Sequence, residues 1–297
     1  MKKQSGFTLV ELMIAGIIGV FIISGLLNFF IATNKSVTLS DSISKNQEIG
    51  RFSMEYLTKF IRRAGYSEIS STFTPPVYIA FGSSNIGPAI DCSGNQALAC
   101  SSNNAAVPAT TALNPGSAFG DRVSVPYTVT RDDVNTTTCS GVQITGTIAN
   151  PRYLVDVFWV SAHTDNLREL RCNTFDRDAN NWLGGNAAGV PIMNNIEQME
   201  FLVGINDDQD GKSATRYVNI DTIITSPTLS VLNIRSIRVA ILTTSTDDLE
   251  PNVLQSNTDE REYILLDAPT IRFNDSSLRN IFMTTIEFPN MIETSGT

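Results

Sequence analysis

Lys2-Lys3-Gln4-Ser5-Gly6-Phe7-Thr8-Leu9-Val10-Glu11-Leu12 is the stretch on which the reading of the whole chain turns. Two lysines stand in a short polar leader that ends at Gly6, and from Phe7 the chain is apolar to about Phe30, with one carboxylate, Glu11, near its start. A secretory signal would have an apolar core of roughly 7–15 residues and a small-residue cleavage site after it. Here the run is longer, at about 36 Å as a helix, which spans a hydrocarbon core of about 30 Å with some tilt. No Ala-x-Ala-like site follows, and Ile31-Ala32-Thr33-Asn34-Lys35 continues as helix. The stretch therefore reads as a membrane anchor with Lys2 and Lys3 held on the cytoplasmic side. Glu11 fits a plain anchor poorly, because a carboxylate in hydrocarbon needs a partner or a purpose.

Gly6-Phe7-Thr8-Leu9-Val10-Glu11-Leu12 behind a short lysine-containing leader resembles the processing site of type IV prepilins and type II secretion pseudopilins. The resemblance implies cleavage after Gly6 by a prepilin peptidase and N-methylation of Phe7. It also implies that Glu11 pairs with the new N-terminal amine of a neighbouring subunit. Such a pairing offsets the desolvation of a buried carboxylate.

Composition is that of a globular protein large enough for a real core: 297 residues, 42% hydrophobic and 17% charged. The net charge of −9 is unevenly spread. Residues 31–65 hold six Lys/Arg against Asp41, Glu48 and Glu55, whereas residues 66–297 hold 13 Lys/Arg against 26 Asp/Glu. An acidic body argues against direct nucleic-acid binding, which needs a cationic face. Four cysteines, Cys92, Cys100, Cys139 and Cys172, all lie beyond the anchor, on the side where disulfides persist. Four cysteines allow three pairings. Proximity in sequence favours Cys92–Cys100 and Cys139–Cys172.

Beyond the anchor, Ile49, Phe52, Tyr56 and Phe60 recur at helical spacing, with Leu57, Ile61 and Ala64 extending the stripe and Gly65 as a stop. The spacing predicts one helix over Phe7–Ala64, apolar all round in its first half and amphipathic in its second. Residues 66–120 are rich in Ser, Asn, Ala, Gly and Pro and read as a loop-rich surface region. From Asp121 the pattern is β. Strands are expected over Arg122–Thr130, Gly141–Ile148, Tyr153–Val160, Glu169–Asn173, Ile196–Ile205, Tyr217–Ile220, Ile234–Thr243, Arg261–Leu266 and Leu278–Phe288. The fold class is α+β, with the amphipathic half-helix lying across a mainly antiparallel sheet.

The body carries a second, finer resemblance. Glu48-Ile49-Gly50-Arg51-Phe52, then Ile61-Arg62-Arg63-Ala64-Gly65-Tyr66, is similar to the helix end of PilW-type minor pilins. So are Asp121-Arg122-Val123-Ser124-Val125, Thr137-Thr138-Cys139-Ser140-Gly141, Leu170-Arg171-Cys172, Ile196–Phe201, Gly204–Asp207, Val231–Leu242 and Leu278–Ile286. Two positions depart from that pattern: Thr138 stands where the family usually has aspartate, and Val203 where it tends to have tyrosine.

Other chemistry is sparse. Asn206, Asp208 and Asp210 stand at positions 1, 3 and 5 of a calcium-loop spacing, with Gly211 at position 6, but Tyr217 occupies the place of the closing glutamate. An acidic turn is the simpler reading of that run. His163 is the only histidine, and no nucleophile elbow, phosphate-binding loop or His-Glu-x-x-His run is present. Trp159 and Trp182 read as core or surface anchors.

The expected organisation is a prepilin leader (1–6), a transmembrane and filament-core helix (7–30), its amphipathic half (31–65), a loop-rich variable region (66–120) and a β-rich globular domain (121–297). The resemblance implies a non-enzymatic minor pilin, a single-pass inner-membrane protein with a periplasmic body that later enters the pilus; no cofactor is expected, Ca²⁺ at Asn206, Asp208 and Asp210 being the alternative. Its implied partners are prepilin peptidase, other minor pilins, the major pilin, the inner-membrane assembly machinery and, through the anchor, the membrane. A role in priming assembly near the tip follows from the PilW-type features. The alternatives are a minor pseudopilin of a type II secretion system and a membrane-anchored periplasmic binding or hydrolytic domain.

Overall fold

A computed structural model describes residues 8–66, 100–103, 119–129, 136–144, 151–162, 168–183, 187–208, 213–226, 234–245, 261–273, 275 and 277–289. Its first element is helix α1, Leu9–Ile61. The run from Leu9 to Ile61 contains no proline, and Thr8 caps it: the Glu11 amide donates to Thr8 Oγ1 (3.3 Å) and the Thr8 amide to Glu11 Oε2 (3.0 Å). Together they form a reciprocal capping box. The helix ends in a turn that Gly65 closes at φ 69°, and the Gly65 amide donates to the Pro126 carbonyl at 2.9 Å.

Two antiparallel sheets receive the helix. The first pairs β1 (Val123–Val129) with β4 (Arg152–Ala162) and β4 with β5 (Arg168–Asp176). Strand β5 in turn carries the short β6 (Asn181–Trp182) and β7 (Val190–Asn194). The second runs β13–β10–β8–β9, from Arg279–Glu287 through Ile234–Thr244 and Ile196–Ile205 to Arg216–Val218. Among the described residues there are also two small hairpins: β2 (Thr136–Thr137) with β3 (Gln143–Ile144), and β11 (Arg261–Tyr263) with β12 (Ile271–Phe273). Segment 119–121 straps the sheets together. The Phe119 amide donates to Val160 of β4 (2.8 Å) and the Asp121 amide to Met199 of β8 (2.7 Å).

Period-two alternation sorts the side chains into layers. Phe158 and Val160 of β4, Leu170 and Cys172 of β5, Met199, Phe201, Val203 and Ile205 of β8 and Ile237, Val239 and Ile241 of β10 form one core with Leu57, Phe60, Ile61 and Ala64 of the helix. The alternate residues face outward yet are covered. Val155, Val157 and Trp159 pack with Cys100, Phe175 and Trp182, and Ala240 and Leu242 pack under Leu265 and Ala268. Sheets buried on both faces explain why these strands read as near-continuous apolar runs.

The structure departs from the sequence expectations in several places. The residues of α1 that are buried are Ser42, Asn46, Gly50, Ser53, Leu57, Phe60 and Ile61, while Phe52, expected in the stripe, is exposed. Small and polar residues let the helix backbone approach β13 closely, so a search for apolar periodicity cannot see this face. Ile220, expected to end a strand, begins helix α2 (Ile220–Thr225), whose Asn219 side chain caps the Thr222 amide at 2.9 Å. The strand expected over Arg261–Leu266 stops at Tyr263. The expected strand over Gly141–Ile148 is described only as Gln143–Ile144, and most of the loop-rich region lies outside the described residues.

Candidate functional site

The N-terminal half of α1 stands clear of the body. Leu9, Val10, Leu12, Met13, Ile14, Ile17, Ile18, Val20, Phe21 and their successors to Ile31 are all exposed, and the first buried residue is Ser42. About 50 Å of helix therefore projects beyond the globular domain. It is the one helix, among the described residues, long and apolar enough to cross a membrane. Gly16, Gly19 and Gly25 are open to their surroundings, with no atom within 4 Å of where a Cβ would stand. An apolar surface of this size is an association surface, for lipid or for other helices.

Gly6 and Phe7 lie outside the described residues, and Glu11 lies at the tip of the projecting half. The structure gives Glu11 a local role that a reading focused on subunit pairing omits. Its Oε2 accepts from the Thr8 amide and from Thr8 Oγ1 at 2.9 Å. Thr8-Leu9-Val10-Glu11 is the Ser/Thr-x-x-Glu signature of a capping box, so the signal was available in the sequence.

The C-terminal half of α1 is fixed to the sheets at two polar contacts. Near its middle, Asn46 is fully buried: Nδ2 donates to the Leu278 carbonyl (3.1 Å), and Oδ1 accepts from Thr243 Oγ1. At its end, the Arg63 guanidinium forms an ion pair with Asp156, a fully buried carboxylate in the middle of β4. Asp156 Oδ1 also accepts from Thr174 Oγ1 (2.6 Å) and Tyr127 OH (3.3 Å). Arg63 donates through Nη1 to the Thr137 carbonyl (2.8 Å) and stacks over the rings of Tyr127 and Phe60 at 4.2 and 4.6 Å. Tyr56 OH donates to the Cys139 carbonyl. Burial, reinforced by the charge of Asp156, pushes the Tyr56 phenol up to about 12.

A disulfide joins Cys139 to Cys172 and ties the turn before β3 to β5 beneath the helix end. Cys100 is also disulfide-bonded, and Cys92, with the pairing expected between them, lies outside the described residues. Of the calcium-loop candidates, Asn206 and Asp208 are among the described residues. Asn206 is buried with its Nδ2 on the Ser213 carbonyl (2.9 Å), Asp208 is exposed, and Asp210 lies outside the described residues, as does His163. Between them Asp207 holds Arg216 through two hydrogen bonds of 2.7 and 3.1 Å, which lower its carboxyl below the usual range. Sequence reasoning missed Arg63, Asp156 and Asn46 because their partners are far away in the chain.

A long capped helix, apolar at its free end and seated on antiparallel sheets at the other, defines a pilin-like protein. Two family comparisons refine this class. Residues 1–27 match the prokaryotic N-terminal methylation motif, and residues 157–290 match the type IV pilus-assembly protein W family, PilW. Over these two regions the chain matches a type IV pilus-assembly protein of the PilW family and the N-terminal methylation motif. The match is to a structural, non-enzymatic pilin family. Among solved structures, a type IV-like pilin from Thermus thermophilus is similar at 14% identity and a TM-score of 0.36, covering 86% of this chain and 98% of that one. No curated protein sequence matches the chain.

Proposed function

We infer that the protein is a minor pilin, cleaved after Gly6 by prepilin peptidase and N-methylated on Phe7. It begins as a single-pass inner-membrane protein with its body in the periplasm. The Phe7–Phe30 helix then passes from bilayer to filament core, two apolar settings between which the transfer is nearly balanced. In the filament Glu11 meets the N-terminal amine of a neighbour. There the subunit primes assembly with other minor pilins near the tip.

The observation that carries this reading is the projecting half of α1: exposed apolar residues from Leu9 to Ile31 that the protein's own body does not cover, most of them within the matched methylation motif, residues 1–27. The test has two parts. Mass spectrometry of the mature N-terminus is expected to give N-methyl-Phe7, and an intact Met1 or cleavage beyond Phe30 would sink the pilin reading. Deletion of the gene is expected to reduce surface pili sharply. A normal pilus count would remove the priming role.

A further inference from the structure

The outer face of β8 holds carboxylates that neither the N-terminal anchor nor the helix seat uses. Glu200 is 1% exposed and stands opposite Ala240 of β10, under the layer formed by Leu265 and Ala268. Asp121, also 1% exposed, comes from the strap between the sheets, and its Oδ2 accepts from the Phe201 amide at 2.9 Å. Asp267 comes from the turn after β11, which the Ala268 amide closes onto the Leu265 carbonyl (2.9 Å). Carboxylate oxygens of Asp121, Glu200 and Asp267 all lie within 4.8 Å of one another. Among the described residues, no Lys or Arg forms an ion pair with Glu200 or Asp267.

A neighbour outside the acidic set points to what belongs there. Gln198 lies on the same face two residues away, is 1% exposed and donates through Nε2 to Glu200 Oε1, while its own Oε1 is buried without a hydrogen-bond partner. Glu200 Oε2 is buried in the same condition. A half-turn of the Gln198 amide exchanges its N and O, and that would deliver a carbonyl oxygen to the carboxylates. The strap closes one side: a Cβ on Gly120 would lie 2.7 Å from Glu200 Oε1 and 2.8 Å from Gln198 Cγ. The other side is open at Asp267, which is exposed.

We propose that Asp121, Glu200 and Asp267, with the amide oxygen of Gln198, bind one calcium-sized divalent cation. Oxygen ligands of Ca²⁺ sit at about 2.3–2.6 Å, so two of them can stand up to roughly 5 Å apart, which matches the observed spread. Mg²⁺ bonds of about 2.0–2.1 Å would require the cluster to contract. Water through the open side would complete the six to eight ligands that Ca²⁺ takes. The competing occupant is a proton. Burial, then the charge of Asp121, holds the Glu200 carboxyl well above the usual carboxylate range. The bound ion would staple the strap and the β11–β12 hairpin onto β8. This site is separate from the Asn206–Asp210 run.

The test is equilibrium dialysis of the full-length protein in detergent against radioactive calcium, with thermal melting in calcium or chelator. One bound Ca²⁺ is expected at about 1 mM, the upper end for extracellular modules, with a Tm roughly 1–4 °C higher than in chelator. Glu200→Gln is expected to abolish binding. Asp267→Asn, on an exposed turn that tolerates the change, is expected to weaken it by at least about tenfold, the lower end of what loss of even a supporting group costs a metal site, and it carries the test if Glu200→Gln fails to fold. The proposal is overturned if wild type binds no calcium under these conditions. It is equally overturned if both variants bind as wild type does, or if binding is lost instead in Asp208→Asn.

Discussion

The Phe282 side chain of β13 fills the space that a Cβ on Gly50 of α1 would occupy. A glycine in a helix interior ordinarily costs about 1 kcal/mol relative to alanine. Here it lets the helix backbone and an aromatic ring share one volume. Gly50→Ala therefore sets a gain in helix propensity against displacement of the ring, and overpacking of this kind costs about 1–3 kcal/mol. A net loss of about 1 kcal/mol is expected in denaturant unfolding. Phe282→Leu in the Gly50→Ala background should recover part of it. A Gly50→Ala protein more stable than wild type would show that the ring moves freely and that the contact does not fix the helix.

The Arg63–Asp156 pair is expected to matter more than a surface ion pair. Asp156 is fully buried and Arg63 mostly so, and removing one partner of a buried pair strands the other charge, at about 3–5 kcal/mol. Arg63→Ala should approach that loss, softened because the guanidinium keeps some contact with solvent. Arg63→Lys keeps the charge but not the second donor to Thr137 or the stacking on Tyr127, so it should fall between. Chemical denaturation of all three proteins checks the order.

The Cys139–Cys172 disulfide closes a loop with a sequence separation of 33. The chain-entropy relation gives about 4 kcal/mol for a loop of that length, and engineered removals span about 2–5 kcal/mol. The double Cys→Ser variant should unfold at lower denaturant in proportion. Because Tyr56 OH donates to the Cys139 carbonyl, the helix end should also exchange its amide hydrogens faster, which hydrogen-exchange mass spectrometry would read.

Tyr56 gives the body an alkaline limit. Its folded pKa of about 12 lies above the unfolded value of 10, so between those values the unfolded chain has already lost the proton that the folded chain retains. Stability is then fully present below pH 10 and falls as pH rises toward 12, by up to about 1.4 kcal/mol per pH unit for one group. Tyr56→Phe should lose about 1 kcal/mol at neutral pH, the net worth of one hydrogen bond, and show a shallower alkaline decline. An unchanged slope would assign the decline to other groups, Tyr127 first, since burial raises its phenol as well.

The long helix and the order helix-then-sheet are legible in the sequence because they rest on local signals: an uninterrupted apolar run, helical spacing and period-two strands. Ile196–Ile205 reads directly because its alternation is strong and its ends are marked. Val190–Asn194 does not, because Pro191 argues against a strand unless the strand lies at an edge, and among the described residues β7 pairs only with β5. The seat of the helix is hidden for a different reason. Asn46, Gly50 and Arg63 are defined by Thr243, Phe282 and Asp156, and separations of that size leave no periodic trace. The cluster of Asp121, Glu200 and Asp267 is likewise assembled from three distant segments.

Glu11 separates two roles that one substitution can divide. In the capping box it accepts from Thr8, a role that glutamine can also fill. In the proposed filament contact it meets an ammonium group, which requires the negative charge. Glu11→Gln should therefore leave helix content, membrane insertion and processing after Gly6 intact while the subunit fails to enter pili. Thr8→Ala removes the cap and retains the charge, and a lost cap costs about 1 kcal/mol. That variant should still enter pili, at somewhat reduced levels. Fractionation of sheared pili against membranes, with processing followed by gel mobility, distinguishes the cases. If Thr8→Ala were excluded from pili while Glu11→Gln assembled normally, Glu11 would act through the cap alone and the subunit-pairing role would be wrong.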